Sequence, residues 1–291
     1  MILRRPHSFF AFALVCLCAP ALFGKPRVIV SIPPQKAFVE AVAGNSVEIQ
    51  VLLLPGQNPA SFTLSPKMLS KVAKADVYFS IGAPMEDVIL PRLKASYPNL
   101  RIIDTTAGIR KRTLEDHSRA QPDPIHTHAH TDDPHIWLSP GLVKIQLRHY
   151  TRTLKELVPG NSAEFDINAK SFLEKLELLD NRLAERLKHL AGNTVFVYHP
   201  AFGYFLDRYG LRQETVELQG KQPSPKQLQN LISLAKDHQV TVIFVQPQFH
   251  RNSAQTLAKA IGGQVEVMDP LAENYLDNLR HMGETIAESY H

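Results

Sequence analysis

Eight short runs rich in β-branched and aromatic residues divide this chain into two halves of the same kind. Segments with helical periodicity lie between the runs, for instance residues 66–75 and 225–238. The runs cover residues 28–32, 47–53, 76–82 and 101–104 in the first half, and 194–199, 214–218, 241–247 and 264–270 in the second. Strands that alternate with helices are typical of parallel sheets covered by helices. We therefore predict an α/β fold of two similar lobes, each with a mainly parallel four-stranded sheet and flanking helices.

A long amphipathic segment separates the two halves. Its apolar residues recur at intervals of three or four from Phe165 to Leu190, which places them in one stripe along a helix. Residues 163–190 would span roughly 42 Å as a single helix. A core helix of one large domain is one interpretation, but β-rich halves flank the segment on both sides. We therefore favour a rigid backbone helix at 159–190 that joins an N-terminal lobe at 25–158 to a C-terminal lobe at 191–291.

The first 24 residues have the pattern of an export signal. Arg4 and Arg5 give a positive start, and an uncharged apolar run of 16 residues follows at 9–24. This run is shorter than a membrane span requires, and Pro20 interrupts it. We predict a signal peptide at 1–24, cleaved after Ala21 or Gly24, and hence a periplasmic location.

Charge and cysteine positions restrict the possible functions. The formal net charge is +4, but Arg4 and Arg5 lie in the predicted signal, so the body of the chain lacks the strong positive charge of a nucleic-acid-binding protein. Both cysteines, Cys16 and Cys18, lie there too. The mature chain would therefore have no disulfide. Any metal site in it would use nitrogen and oxygen ligands.

Residues 114–133 form a polar stretch rich in histidine. Its histidines are His117, His126, His128 and His130. The stretch has almost no large apolar residue and no periodicity, which predicts an exposed, mobile loop. The three histidines at 126–130 alternate, so in an extended chain their imidazoles share one side and could bind an ion weakly. The nearby Asp123, Asp132 and Asp133 would add oxygen ligands. A solvated loop without metal is the alternative.

Three polar residues outside this loop stand where α/β folds bind ligands. His199 closes one predicted strand and Asp269 ends another, and the carboxyl ends of parallel strands face the ligand crevice. His135 lies on a stiff segment between two prolines. Taken alone, each histidine could equally be a structural residue, and Asp269 could cap the turn that precedes Pro270.

Three motifs taken together resemble a known family. They are DPHIWLSP at 133–140, YHPAFGYFLDRYGL at 198–211 and MDPL at 268–271. With the start VIVSIPPQKAFVEAVAG and the histidine-rich loop, they resemble the zinc- and manganese-type (ZnuA/TroA-like) substrate-binding proteins of bacterial ABC transporters. The likeness covers nearly the whole mature chain. It implies two α/β lobes joined by a rigid helix, with one divalent ion in the cleft between them.

The resemblance also implies a set of metal ligands. His135 and His199 match two histidine ligands of the family, and Asp269 matches its acidic ligand from the C-terminal lobe. Ala60 stands where members usually have a histidine, so at most three of the family's ligands are present. Candidates for the fourth position are His250, Gln246, Gln248 and Glu217, which the sequence does not rank. Two imidazoles with one carboxylate favour zinc over manganese, which prefers more oxygen ligands.

The function implied is that of a periplasmic receptor, not an enzyme, that captures Zn²⁺ and delivers it to a membrane ABC permease. We expect a monomer with no nucleic-acid partner. Two alternatives stay open. One is an exported zinc hydrolase in which His135, His199 and Asp269 bind a catalytic ion. The other is a receptor of the same fold for a metal chelate or an organic ligand. The sequence contains no H-E-x-x-H, G-x-S-x-G or P-loop motif, which disfavours the hydrolase.

Overall fold

Two parallel sheets form the framework of the protein, as predicted. The computed structural model describes residues 24–114, 132–217, 222–249 and 252–290. The first sheet has the order β2-β1-β3-β4 and consists of β1 (Arg27–Val30), β2 (Glu48–Val51), β3 (Val77–Ser80) and β4 (Arg101–Asp104). The second has the order β6-β5-β7-β8 and consists of β5 (Thr194–Val197), β6 (Arg212–Thr215), β7 (Val242–Val245) and β8 (Gln264–Val267). All the pairings are parallel, so the two lobes share one topology.

Helices connect consecutive strands. The first lobe contains α1 (Pro33–Ala43), α2 (Pro66–Val72), α3 (Pro84–Ser96) and α4 (Pro140–Leu157), and the long α5 (Ser162–Leu187) follows. The second lobe contains α6 (Gly203–Arg208), α7 (Pro225–Asp237), α8 (Asn252–Ile261) and α9 (Tyr275–Glu288). Several of these helices begin with proline, whose missing N–H would have no helical partner at the first position. Across the described ranges, no helix has both the length and the apolar character needed to cross a membrane.

The inner strands are more deeply buried than the edge strands. All four residues of β3, β5 and β7 are buried, whereas β2 and β8 are partly exposed along their length. A parallel strand with both faces covered is apolar at successive positions instead of alternating. These continuous apolar runs are the reason that the strands stand out in the sequence.

Most of the strands are shorter than the runs that predicted them, and only β4 coincides with its run at 101–104. Each has four residues, and buried residues continue beyond its end. Ser31 and Ile32, for example, are fully buried although β1 ends at Val30. The strand predicted at 214–218 lies at Arg212–Thr215. Val216 and Glu217 are buried although they follow the strand, so the predicted run continues beyond its end. These buried residues follow the carboxyl ends of the strands, where the candidate site is found.

The helix α5 packs against both lobes. It contacts α1 and α4 on one side and α9 on the other. Phe165, Leu176 and Leu187 on its apolar stripe are fully buried, and burying such a side chain contributes about 1.5–3 kcal/mol. A short 3₁₀ turn at Lys188–Leu190 completes the segment. The predicted linking helix is confirmed.

Candidate metal centre

His135 and His199 face each other between the lobes. Their ring centres lie 5.5 Å apart and their planes meet at 76°. His199 is two residues beyond β5, and His135 directly precedes the 3₁₀ turn Ile136–Leu138 that leads into α4. The side chain of His135 is 12% exposed and that of His199 is 29% exposed. The structure therefore brings two of the predicted ligands together at a place that solvent can reach.

Asp133 holds the ring of His135. Its Oδ1 lies 2.7 Å from His135 Nδ1 and accepts a hydrogen bond of 3.0 Å from the His135 backbone N–H. An Asp side chain commonly bonds the backbone two residues further on, and here the same oxygen also orients the imidazole. Burial lowers the pKa of His135, although the bond to Asp133 opposes the shift. The imidazole is therefore neutral at pH 7, which is the form that binds a metal.

Glu217 holds the ring of His199 in the same way. Its Oε1 lies 2.5 Å from His199 Nδ1, and the residue is only 3% exposed. Gln246 fixes the backbone of His199, because its side chain accepts from the N–H at 3.1 Å and donates to the C=O at 2.7 Å. The ring of Phe249 stacks on the imidazole with centres 4.8 Å apart. The chain has just left β6 at Glu217 and β7 at Gln246, so both neighbours of β5 support this histidine.

The two carboxylates determine which nitrogen of each histidine can bind a metal. A carboxylate that accepts from Nδ1–H leaves the lone pair on Nε2. Metal-binding histidines usually donate their other ring N–H to a carboxylate or a carbonyl, which fixes the ring and raises its basicity. His135 and His199 thus form two such carboxylate–histidine pairs, with Asp133 and Glu217 buried behind them.

Asp269 lies at the same edge of the second sheet, two residues beyond β8. Its Oδ1 accepts from Gln248 Nε2 and from the backbone N–H of Leu271, both at 2.9 Å. It lines a cavity of about 130 Å³ to which the first lobe contributes Pro33 and Gly56. Among the residues that the structure describes, no three His, Cys, Asp or Glu side chains form a group that could hold one ion. The role of Asp269 as a ligand therefore stays a prediction.

The histidine-rich loop starts and ends beside His135. Its histidines His117, His126, His128 and His130 lie outside the described residues, and so does His250. The described residues on either side of the loop are joined, because Thr113 and Asp132 form an antiparallel bridge and Asp133 N–H donates to Arg112 C=O at 2.8 Å. Metal binding by the loop stays a prediction.

A sequence profile matches this chain along most of its length. The profile of ZnuA, the periplasmic component A of zinc-uptake complexes, matches residues 28–289. The chain belongs to the ZnuA family.

Solved structures and a further relative are similar to this ZnuA-family chain. A crystal structure of ZnuA is 34% identical with a TM-score of 0.84, and the match covers 92% of this chain and 100% of that one. A zinc-bound deletion mutant of ZnuA is 33% identical with a TM-score of 0.83, covering 91% and 98% of the two chains. The zinc-binding lipoprotein AdcA of Streptococcus pneumoniae is 26% identical over 89% of this chain and 53% of its own length. The chain thus spans about half of AdcA.

Family membership confirms the class of function expected from the sequence. This ZnuA-family chain is an exported solute-binding protein that captures a divalent metal as part of an ABC transport system. It departs from the expected family pattern at Ala60, which lies exposed in the 3₁₀ turn Pro59–Ser61 and donates its N–H to Asn58 Oδ1 at 2.8 Å. A methyl side chain offers no ligand atom.

Sequence reasoning misses one residue of the candidate site, Asp133, and leaves a second, Glu217, unranked. The sequence predicts that Asp133 belongs to the exposed loop at 114–133, which is wrong for this residue, because the structure buries it fully beneath His135. The signal was the spacing Asp-x-His within a proline-stiffened segment, which suits a side chain that bonds two residues ahead. Glu217 is one of the four residues that the sequence offers for the fourth ligand position. It instead supports His199 from behind, which follows from the pairing of β6 with β5.

Proposed function

We propose that this protein captures Zn²⁺ between its lobes with Nε2 of His135 and Nε2 of His199, and delivers it to a membrane permease without bond chemistry. The observation that carries the proposal is the pair of facing imidazoles, each backed by a buried carboxylate. Such pairs hold the rings in place before the ion arrives, so less conformational entropy is lost on binding.

The spacing of the rings supports a shared ion. Two imidazoles on one tetrahedral Zn²⁺, with Zn–N distances of about 2.0–2.1 Å, have ring centres about 5 Å apart. The observed separation is 5.5 Å. The two rings are therefore separated by about the distance that one shared ion requires.

Asp269 is the proposed third ligand. Its Oδ1 accepts two hydrogen bonds, and its Oδ2 takes no part in them, so that oxygen is the one proposed to bind the ion. Two imidazoles and one carboxylate match the nitrogen and oxygen donors that zinc prefers, and a fourth position would be left for water. The names of AdcA and of zinc-bound ZnuA support zinc over manganese as the cargo.

The remaining parts of the proposal concern the rest of the chain. The signal at 1–24 would be cleaved, and the mature protein would work as a periplasmic monomer. The histidine-rich loop would bind further ions weakly, because ordering a mobile segment costs conformational entropy. His126, His128 and His130 are the proposed residues for this weaker binding.

Calorimetric titration with ZnCl₂ tests the proposal. We expect His135→Ala and His199→Ala each to abolish tight binding, whereas deletion of 117–130 removes only weakly bound ions. His238→Ala, which removes an exposed histidine at the end of α7, is the matched control and should bind like the parent. The proposed ligands are wrong if His135→Ala retains the tight site, and the assignment of the loop is wrong if the deletion eliminates it.

A further inference from the structure

The side chain of Arg112 bridges the two lobes next to the histidine pair. Its Nη1 donates to Asp133 Oδ2 at 3.3 Å, and its Nε lies 3.1 Å from Asp207 Oδ2. Asp133 belongs to the segment that carries His135, and Asp207 belongs to α6 in the second lobe. The Arg112 side chain is 18% exposed and that of Asp133 is buried, whereas that of Asp207 is 55% exposed, so the contact with Asp133 is the one shielded from water.

On the side of the first lobe, Arg112 and His135 share one carboxylate. Asp133 uses Oδ1 for the ring and the backbone N–H of His135, and Oδ2 for the guanidinium. Because Asp133 is fully buried, water does not replace either partner. The guanidinium therefore fixes the plane of the carboxylate, and the carboxylate fixes the plane of the imidazole.

On the side of the second lobe, Arg112 packs against the start of α6, four residues beyond His199. A Cβ added to Gly203 would lie only 1.2 Å from Arg112 Nη1, so the guanidinium occupies the space that a side chain there would fill. The backbone N–H of Arg112 donates to Tyr204 Oη at 2.9 Å, and Tyr204 Oη–H donates to Asp133 C=O at 3.0 Å. Arg112 thus contacts both histidine-bearing segments at once.

We propose that Arg112 is a positioning residue of the metal site, which sets the distance between His135 and His199 by binding Asp133 and α6 together. The inference rests on the proposed function, since it concerns the same two histidines. Lysine could not replace arginine fully, because its single ammonium cannot present two N–H groups in a fixed fork to two carboxylates. Replacing a residue that supports a metal ligand typically reduces metal affinity by roughly 10–100-fold.

Zinc affinity measured by competition with a chelating indicator tests the proposal. We expect Arg112→Gln to bind zinc roughly 10–100-fold more weakly than the parent, and Arg112→Lys to lie between the two. If Arg112→Gln does not fold, Arg112→Lys carries the test. An Arg112→Lys protein that binds as tightly as the parent would then overturn the proposal.

Gly203→Ala gives a second test that leaves every charge in place. Alanine is a better helix former than glycine, so α6 itself should tolerate the change, but the added methyl displaces the guanidinium. We expect weaker zinc binding at temperatures where the variant is fully folded, which a purely structural role for Arg112 would not produce. Unchanged affinity in Gly203→Ala together with unchanged affinity in Arg112→Gln would overturn the proposal.

Arg208→Gln is the matched control. Arg208 also lies on α6 and joins it to another helix, with Nε and Nη2 at 3.0 and 2.9 Å from the carboxylate of Asp180 on α5. The Arg208→Gln substitution should lower thermal stability and leave zinc affinity unchanged. Equal losses of affinity in Arg208→Gln and Arg112→Gln would show general destabilisation and contradict a positioning role.

If the parent itself does not bind zinc, the proposed function fails and this inference with it. If the parent binds and the Arg112 variants bind equally well, only the inference fails.

Discussion

Glu86 is a buried carboxylate at the carboxyl ends of two strands in the first sheet. It is 2% exposed and accepts hydrogen bonds from the backbone N–H groups of Ile81 and Gly82 at 2.7–3.1 Å and from the Ser31 hydroxyl. Ser31 follows β1 and Ile81 follows β3, so this side chain ties together the loops that leave the two strands. Burial raises the pKa of Glu86, although these bonds oppose the shift.

The raised pKa gives the stabilising effect of Glu86 a definite pH dependence. A group whose pKa is higher in the folded protein binds more protons there than in the unfolded chain. The contribution of Glu86 to the free energy of unfolding is therefore full below the unfolded pKa of 4.5 and is lost as pH rises through the folded pKa. Glu86→Gln should destabilise the protein by about 1–3 kcal/mol, because the Gln amide would face backbone N–H donors. The difference in unfolding free energy between parent and variant should be largest in acid and shrink toward neutral pH.

Urea unfolding at a series of pH values checks this prediction. Glu284→Gln, which changes an exposed glutamate on α9, should show no such trend. A stability difference for Glu86→Gln that grows with pH would show that the anion is the form stabilised by the fold.

The residues of the candidate metal site divide into those that a sequence can indicate and those that only the fold brings together. His135 and His199 stand out because proline or a strand end fixes their backbone locally. Glu217, the partner of His199, does not stand out in the sequence, because only the pairing of β5 with β6 brings it to the imidazole. Arg112 is still less visible, because its contacts cross between the lobes.

At the scale of elements, the fit of α5 against α9 depends on close contact at one point. A Cβ added to Gly283 would lie 2.3 Å from Leu183 Cδ2, so this leucine rests directly on the backbone of α9. Leu183 is 3% exposed, whereas Leu178 on the same helix is 54% exposed. The two leucines make a matched pair that separates packing from helix propensity.

Leu183→Ala should lower the free energy of unfolding by about 2–5 kcal/mol, because it leaves a cavity between two helices that cannot collapse freely. Leu178→Ala should change it by about 0.5 kcal/mol or less, as is usual for exposed positions. Urea denaturation of both variants measures the difference. Equal effects of the two substitutions would mean that Leu183 does not pack against the backbone of α9 as described.

The elements themselves were largely predictable. All eight strands and the long helix appear where apolar periodicity indicated, because buried parallel strands and an amphipathic helix leave strong local patterns. The bounds were less accurate, as the shift of β6 to Arg212–Thr215 shows. Burial extends beyond the strand there, and periodicity does not distinguish a buried loop residue from a strand residue.

At the scale of the whole molecule, the segments that carry the proposed ligands are already bonded across the lobes. Trp137 Nε1–H donates to the carbonyl of Pro270 at 2.7 Å, and Tyr275 Oη–H donates to the carbonyl of Trp137 at 2.8 Å. Trp137 lies two residues after His135, and Pro270 directly follows Asp269. Buried residues of both lobes also belong to one continuous apolar core. A wide opening between the lobes would break buried hydrogen bonds and expose this core.

We therefore expect the lobes to move little when zinc binds, because α5 and the contacts of Trp137 resist a hinge motion. Spin labels on cysteines introduced at Lys94 and Lys236, exposed positions of the first and second lobes, report the distance by double electron–electron resonance. A chain that begins at Lys25 has no cysteine of its own, so only these positions are labelled.

The distance distribution of the parent protein should be the same with and without zinc. In Trp137→Phe, which loses the bond to Pro270, it should broaden in the absence of zinc. A large shortening in the parent on adding zinc would show that the lobes close around the ion, and would contradict the rigid connection argued from α5.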